Sequence, residues 1–185
     1  SSTSDNVDRY VVYNYLEQTW YYGTMMRTAW LDSGLRDYPL AATYSYNLVN
    51  HEQGTDDNET GTPVPIAATI TSGQFDLDDG DRFAFIWRIM PDVTFDGSTA
   101  SSPAATMSLL PLANSGSGYN NPLSESGNNG GAVTRTATVP IEQFTGQVNT
   151  RVRGRQISLK MESTDLGVKW QLGSPRVDMR PDGRR

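Results

Sequence analysis

Apolar and polar residues alternate with a period of two along much of the chain, and the last third shows the pattern most cleanly. Val148 and Val152 set one phase, Ile157, Leu159 and Met161 set another, and the slip between them falls at Gly154. A turn over residues 164–167 leads to Val168, Trp170 and Leu172, which read as the partner strand. Residues 173–175 then break the pattern before Val177 and Met179. Further upstream, RFAFIWRIM carries Phe83, Phe85, Trp87 and Ile89 on one face and Ala84, Ile86 and Met90 on the other. A strand apolar on both faces belongs at the centre of a core or under a neighbouring layer. The predicted core is Phe83, Phe85, Trp87, Ile89, Ile157, Leu159, Met161, Val168, Trp170 and Leu172.

The remaining segments follow the same period less strictly. Residues 9–13 and 19–22 are β-prone runs flanking a polar turn at 14–18, which predicts a hairpin with aromatic faces. Such a hairpin cannot bury itself. Residues 24–38 fit a short helix or an irregular strand, with Gly34 as the breaker. Tyr44, Tyr46 and Leu48 alternate with polar residues, and an acidic loop follows. Val64, Ile66, Ala68 and Ile70 share a face, after which the phase slips across Gly73 to Phe75 and Leu77. A slip at glycine is the mark of a bulge or a bend between sheets. Ala105, Met107 and Leu109 make another strand; residues 114–131 are rich in Gly, Ser and Asn and read as a loop; VTRTATV resumes the alternation. About eight short strands with bulges predict an all-β fold, an antiparallel β-sandwich (jelly-roll-like or a flattened barrel) with an N-terminal β-hairpin arm. The arm takes residues 1–37 and the sandwich residues 38–185.

Composition supports strands and turns over helices, with 17 Gly and 10 Pro. No apolar run approaches the roughly 18 residues of a membrane helix, so no membrane partner is expected. The opening SSTSDN reads as a cut or flexible start, and no basic-then-apolar leader is present. The net charge of −6 is unevenly spread. Residues 147–185 hold nine Lys and Arg against four Asp and Glu, and residues 1–146 hold six against seventeen. That asymmetry suits contact between opposite ends of neighbouring copies, or a basic face toward nucleic acid.

Candidate chemistry is sparse. Cysteine is absent, which removes disulfides, thiolate metal sites and cysteine nucleophiles. His51 is the only histidine; the residues after it do not complete a zinc-peptidase motif, and no Gly-x-Ser-x-Gly elbow accompanies it. Asp56, Asp57 and Glu59, and Asp76, Asp78, Asp79 and Asp81, could supply calcium oxygens, but the spacing departs from an EF-hand and solvated turns are the better reading. Glu52, Glu142 and Glu162 lack any pattern that would mark a glycosidase pair. The expectation is therefore a non-enzyme with no catalytic residue, no metal and no cofactor. Arg151, Arg153 and Arg155 lie on one strand face, a geometry suited to phosphates or carboxylates, and Arg176, Arg180, Arg184 and Arg185 follow. No aromatic interleaving is visible among them, so pairing with acidic groups of an adjacent subunit is preferred over base recognition.

The runs DRYVVYNYLEQTWYYG, TAWLDSGLRDYPLAA, DGDRFAFIWRIMPDVTFDGS and RVRGRQISLKMESTDLGVKWQLGSPRVDMRPDGRR resemble the C-terminal region of bacteriophage tail proteins of the nozzle class, the tail tubular protein B family and the related DNA-stabilisation proteins of short-tailed phages. In that family a β-propeller is combined with further β domains, and copies form a ring at the tail tip through which DNA passes. The resemblance implies that residues 8–23 end a propeller and that the rest is a following β domain in a virion structural protein, assembled in the host cytoplasm. It implies partners among other virion proteins and copies of the chain, with non-specific contact to phage DNA as a further partner. The expected subunit-contact residues are Tyr13, Trp20, Tyr22, Arg151, Arg153, Arg155, Arg184 and Arg185. The competing expectation is a carbohydrate-binding or host-receptor-binding module on a phage tail.

Overall fold

A computed structural model describes residues 5–112 and 136–183. The described chain is all-β, built of small antiparallel sheets, and no sheet closes into a barrel. It divides into two compact units: one runs to Gly54 and includes Asn58–Thr62, and the other comprises Thr55–Asp57 and the chain from Pro63. The predicted loop at 114–131 lies outside the described residues.

The first unit opens with the hairpin β1 (Arg9–Asn14) and β2 (Thr19–Thr24), paired from Arg9 opposite Thr24 to Asn14 opposite Thr19. The turn forms because the Asn14 Oδ1 accepts the amides of Leu16 and Glu17 at 3.1 and 3.2 Å, a side-chain substitute for backbone turn bonds. Gly23 makes room for the Tyr10 ring, which lies across it: a Cβ there would stand 2.5 Å from the Tyr10 hydroxyl and would move that ring. A meander of β3 (Ala29–Leu31), β4 (Leu40–Ala42) and β5 (Leu48–Asn50) follows. Trp30 opposes Ala41, so the pairing runs across residue 37, where the arm was expected to end. Tyr44 and Tyr46 do not continue a strand. They sit in the tight turn between β4 and β5, where Thr43 and Asn47 are hydrogen-bonded and Tyr46 takes a φ of 64°.

The second unit begins with the short ladder of β6 (Asp56–Asp57) and β7 (Val64–Pro65). Two larger sheets then share one core. The first is three-stranded, in the order β14 (Val148–Gly154), β10 (Ala84–Met90), β17 (Arg176–Pro181). The second runs β13 (Ala137–Glu142), β12 (Ala104–Leu112), β15 (Gln156–Ser163), β8 (Ala68–Thr71), with β9 (Phe75–Asp76) also on β15. Ala84, Ile86 and Ile89 of β10, Met107 and Leu109 of β12, Val152 of β14 and Ile157, Leu159 and Met161 of β15 meet in that core.

Both expected phase slips have structural causes. Lys160 opposes Thr71 while Ile157 opposes Phe75, so the 72–74 segment holds one residue more than β15 opposite it: a bulge at Gly73. At Gly154 the chain leaves the three-stranded sheet and enters the larger one. A Cβ on Gly154 would lie 2.8 Å from the Pro111 Cβ, so only glycine lets the corner close on β12.

Two further expectations are corrected in the second unit. The 168–172 run does not pair with β15. Its last residues form β16 (Gln171–Leu172), which pairs with β11 (Val93–Thr94), while β15 takes β12 and β8 as neighbours. Val168, Trp170 and Leu172 are half-buried against the core, with the Trp170 indole N–H donating to the Ser163 hydroxyl at 2.8 Å. In β10 the inward set is Ala84 and Ile86, then Ile89, because the register shifts between Ile86 and Arg88. Phe83 and Phe85 are only half-buried, and Trp87, inside the shift, is 40% exposed.

Candidate functional site

Three surface features concentrate chemistry. On the hairpin, Val11 opposes Tyr22 and Tyr13 opposes Trp20, which places all four on one face. Tyr13 and Trp20 stack with ring centroids 4.4 Å apart, yet Trp20 is 68% and Tyr22 86% exposed. On the opposite face Tyr10 meets Tyr21 edge-on at 6.4 Å. The three hairpin residues expected at a subunit contact therefore share one exposed aromatic face.

The three arginines around Gly154 do not share one strand face as expected: Arg151 and Arg153 lie on β14, while Arg155 lies past its end, at the corner into β15. Arg153 donates from Nε to the Asp182 carboxylate at 2.6 Å and from Nη2 to the Asp182 carbonyl at 3.1 Å. Arg155 donates to the carbonyls of Gly80 and Asp81 at 3.0 and 2.9 Å, closing the turn that precedes β10. Both guanidiniums also lie over the Phe83 ring, at 3.9 and 4.6 Å from its centre. Arg151 is exposed and lines an open groove of about 570 Å³ together with Thr136, Ala137, Thr138, Asn149 and Thr150. Arg184 and Arg185 lie outside the described residues. On the other side of β10, Arg180 lies over Phe85 at 5.2 Å, and Arg88 donates to the Asp178 carboxylate at 2.6 Å. Aromatic rings thus interleave with the arginines in space, contrary to the linear reading, because the rings come from a strand some 70 residues away from β14 in sequence. The signal that could have found them was the pattern of β10 itself: a strand apolar on both faces has to expose one of them unless another layer covers it.

The third feature is a polar cluster in the first unit that no local motif announced. The Arg27 guanidinium donates from Nε to His51 Nε2 at 2.9 Å and from Nη1 to Glu59 Oε2 at 3.0 Å. The Ser45 hydroxyl donates to Glu59 Oε1 at 2.6 Å and shares a hydrogen bond with Thr43 at 2.7 Å. Trp30 stacks on the His51 ring at 4.6 Å. The hydrogen bond from Ser45 holds the Glu59 carboxyl below its ordinary pKa; burial opposes this in part, and Thr43 and the Arg27 charge add to it. His51 accepts through Nε2, so this arrangement uses its neutral form.

Of the acidic residues around the turn at 78–80, Asp76 accepts from the Gln156 side-chain amide at 3.0 Å across the β9–β15 ladder, and Arg82 approaches Asp78 at 3.3 Å. Among the described residues no group of three His, Asp or Glu side chains is placed to hold a metal ion. No helix among them is long and apolar enough to cross a membrane. Compared with known proteins, the chain matches no family model and no curated protein sequence.

Proposed function

We propose that this chain is a structural component of a bacteriophage tail of the nozzle or hub type, working through contacts with copies of itself and with other virion proteins. The observation that carries the reading is the hairpin face of Val11, Tyr13, Trp20 and Tyr22, apolar and open to solvent on a two-stranded sheet. A two-stranded sheet is marginal alone, and contiguous exposed apolar surface marks a contact site. The resemblance to nozzle-class proteins supplies the context of ring assembly. On this reading the two sheets of the second unit form an antiparallel sandwich of jelly-roll type, a rigid carrier for the contact surfaces, and the protein resides in the virion without a catalytic role or cofactor.

Light scattering on the eluting full-length protein across a concentration series tests the reading. Self-association is expected, and Trp20→Ala with Tyr22→Ala should weaken it. A monomer at every concentration, unchanged by the substitutions and by added tail proteins, would sink the assembly role. Hydrolysis of a polysaccharide would sink the non-enzymatic one. The stacked Tyr13–Trp20 pair beside an exposed Tyr22 also favours a second reading, a carbohydrate-binding or host-receptor-binding module, since flat exposed rings stack on sugars. Retention of the chain on host surface glycans, lost in Trp20→Ala, would decide for that reading.

A further inference from the structure

The outer face of the three-stranded sheet has the composition of a strand-binding surface for polyanions. Phe85 lies directly between Arg153 of β14 and Arg180 of β17, so one row across the sheet reads cation, ring, cation. Side chains two apart along a strand share a face. Arg151 therefore joins Arg153 on β14, and Arg176 and Asp178 join Arg180 on β17. Arg88 reaches the same face, as its bond to Asp178 shows. Trp87 is turned partly to solvent by the register shift beside it. Among the described residues, the arginines of this face are 88, 151, 153, 176 and 180; its acids are Asp178, paired with Arg88, and Asp182 at the rim, paired with Arg153. That leaves a positive surface on a chain whose net charge is −6.

Two further features favour anion binding on this surface. The guanidinium of Arg180 rests on the Phe85 ring, which fixes it close to the sheet and lowers the entropy lost when it meets an anion. Arg151 also lines an open groove together with the hydroxyl-bearing Thr136, Thr138 and Thr150 and with Asn149, all able to bond phosphate or sugar oxygens. We propose that this face binds single-stranded nucleic acid, with phosphates on Arg151, Arg176 and Arg180 and a base against Trp87. Rows of cations with interleaved rings suit a flexible strand whose bases are free to stack. An acidic peptide would satisfy the charges and leave the exposed Trp87 without a role. A duplex keeps its bases stacked inside, and among the described residues no helix stands ready to enter a groove. The inference does not rest on the assembly reading, since a monomeric chain could bind in this way.

The test is fluorescence anisotropy of a labelled oligothymidylate of about 20 nucleotides with the full-length chain. Binding is expected at about 50 mM salt, weakening with a log–log slope of about −0.7 for each phosphate engaged. Replacing Arg151, Arg176 and Arg180 together by Gln should flatten that slope by about two. Trp87→Leu should weaken binding about tenfold and leave the slope in place. If Trp87→Leu loses its near-ultraviolet dichroism, an abasic strand of equal length on the unsubstituted chain reads the same stacking contact and should bind about tenfold more weakly. No binding at low salt overturns the proposal. So does binding indifferent to the arginines, an abasic strand that binds as well as oligothymidylate, or equal or tighter binding of a duplex or of polyglutamate.

Discussion

Each of the two units of this chain is held together internally by different physics. Among the described residues of the first unit, only Pro39, Ala41 and Thr43 are buried, and a charged hydrogen-bond cluster of Arg27, His51, Glu59, Ser45 and Thr43 ties four segments that would otherwise share almost no apolar surface. The second unit buries a continuous apolar cluster between two sheets, with Ile86, Val152, Ile157 and Met161 fully enclosed. Apolar burial is indifferent to pH and sensitive to volume. A carboxylate-centred cluster is tolerant of volume and sensitive to protonation. The first unit is therefore the part expected to respond to acid, and the second the part expected to respond to cavities.

The largest test of that contrast is Ile157→Ala. Ile157 is fully buried where β15 meets β9 and β12, and the truncation should cost about 2–5 kcal/mol in urea unfolding of the second unit. An unchanged midpoint would mean that the core is not what holds the two sheets. Next comes Gly154→Ala, which drives a methyl group into Pro111 and should cost about 1–3 kcal/mol by overpacking. A neutral result would show that the corner between the sheets can open.

Smaller effects belong to the first unit. Glu59→Gln removes the charge that Arg27 and Ser45 bond and should destabilise that unit by about 1 kcal/mol. The pH dependence has a definite sign. Glu59 has its folded pKa lowered from 4.5, so its stabilisation is fully present above that value and fades as pH falls through the lower, folded pKa. Protection factors of amides in the β3–β5 meander, taken relative to intrinsic exchange at each pH, should fall in that acid range in the parent chain, and much less in Glu59→Gln. An equal fall in both would remove Glu59 as the acid-sensitive group. The smallest effect is expected from Trp20→Ala: being 68% exposed, its loss should shift the monomer's stability by no more than about 0.5 kcal/mol. A larger drop would show that the hairpin face is packed within the chain.

Some of this was legible in the linear pattern. The hairpin of β1 and β2 appears where its β-prone runs and polar turn placed it, because its pairing and its Asx turn are local. The phase slips at Gly73 and Gly154 mark a bulge and a sheet-to-sheet corner, because a backbone break and the loss of a side chain leave their trace at one position. Harder to read was the polar cluster, whose members Arg27, His51 and Glu59 stand 24 and 32 residues apart with no repeating interval. Harder still was the pairing of β15, which passes over its neighbour in sequence for β12 and β8.

By itself, then, the sequence determined that strands form, where they break, and that opposite charge gathers in different parts of the chain. These depend on side-chain period, turn chemistry and composition, all of which act over a few residues or over the whole. The tertiary structure alone decided which face of β10 is inside. Ala84 and Ile86 fill the narrow space between the sheets, while Phe83 and Phe85 find a second kind of partner in the guanidiniums of Arg153, Arg155 and Arg180. An aromatic ring can be satisfied by an apolar core or by a cation lying flat on it, and only the strands that arrive from elsewhere in the chain determine which of the two it meets.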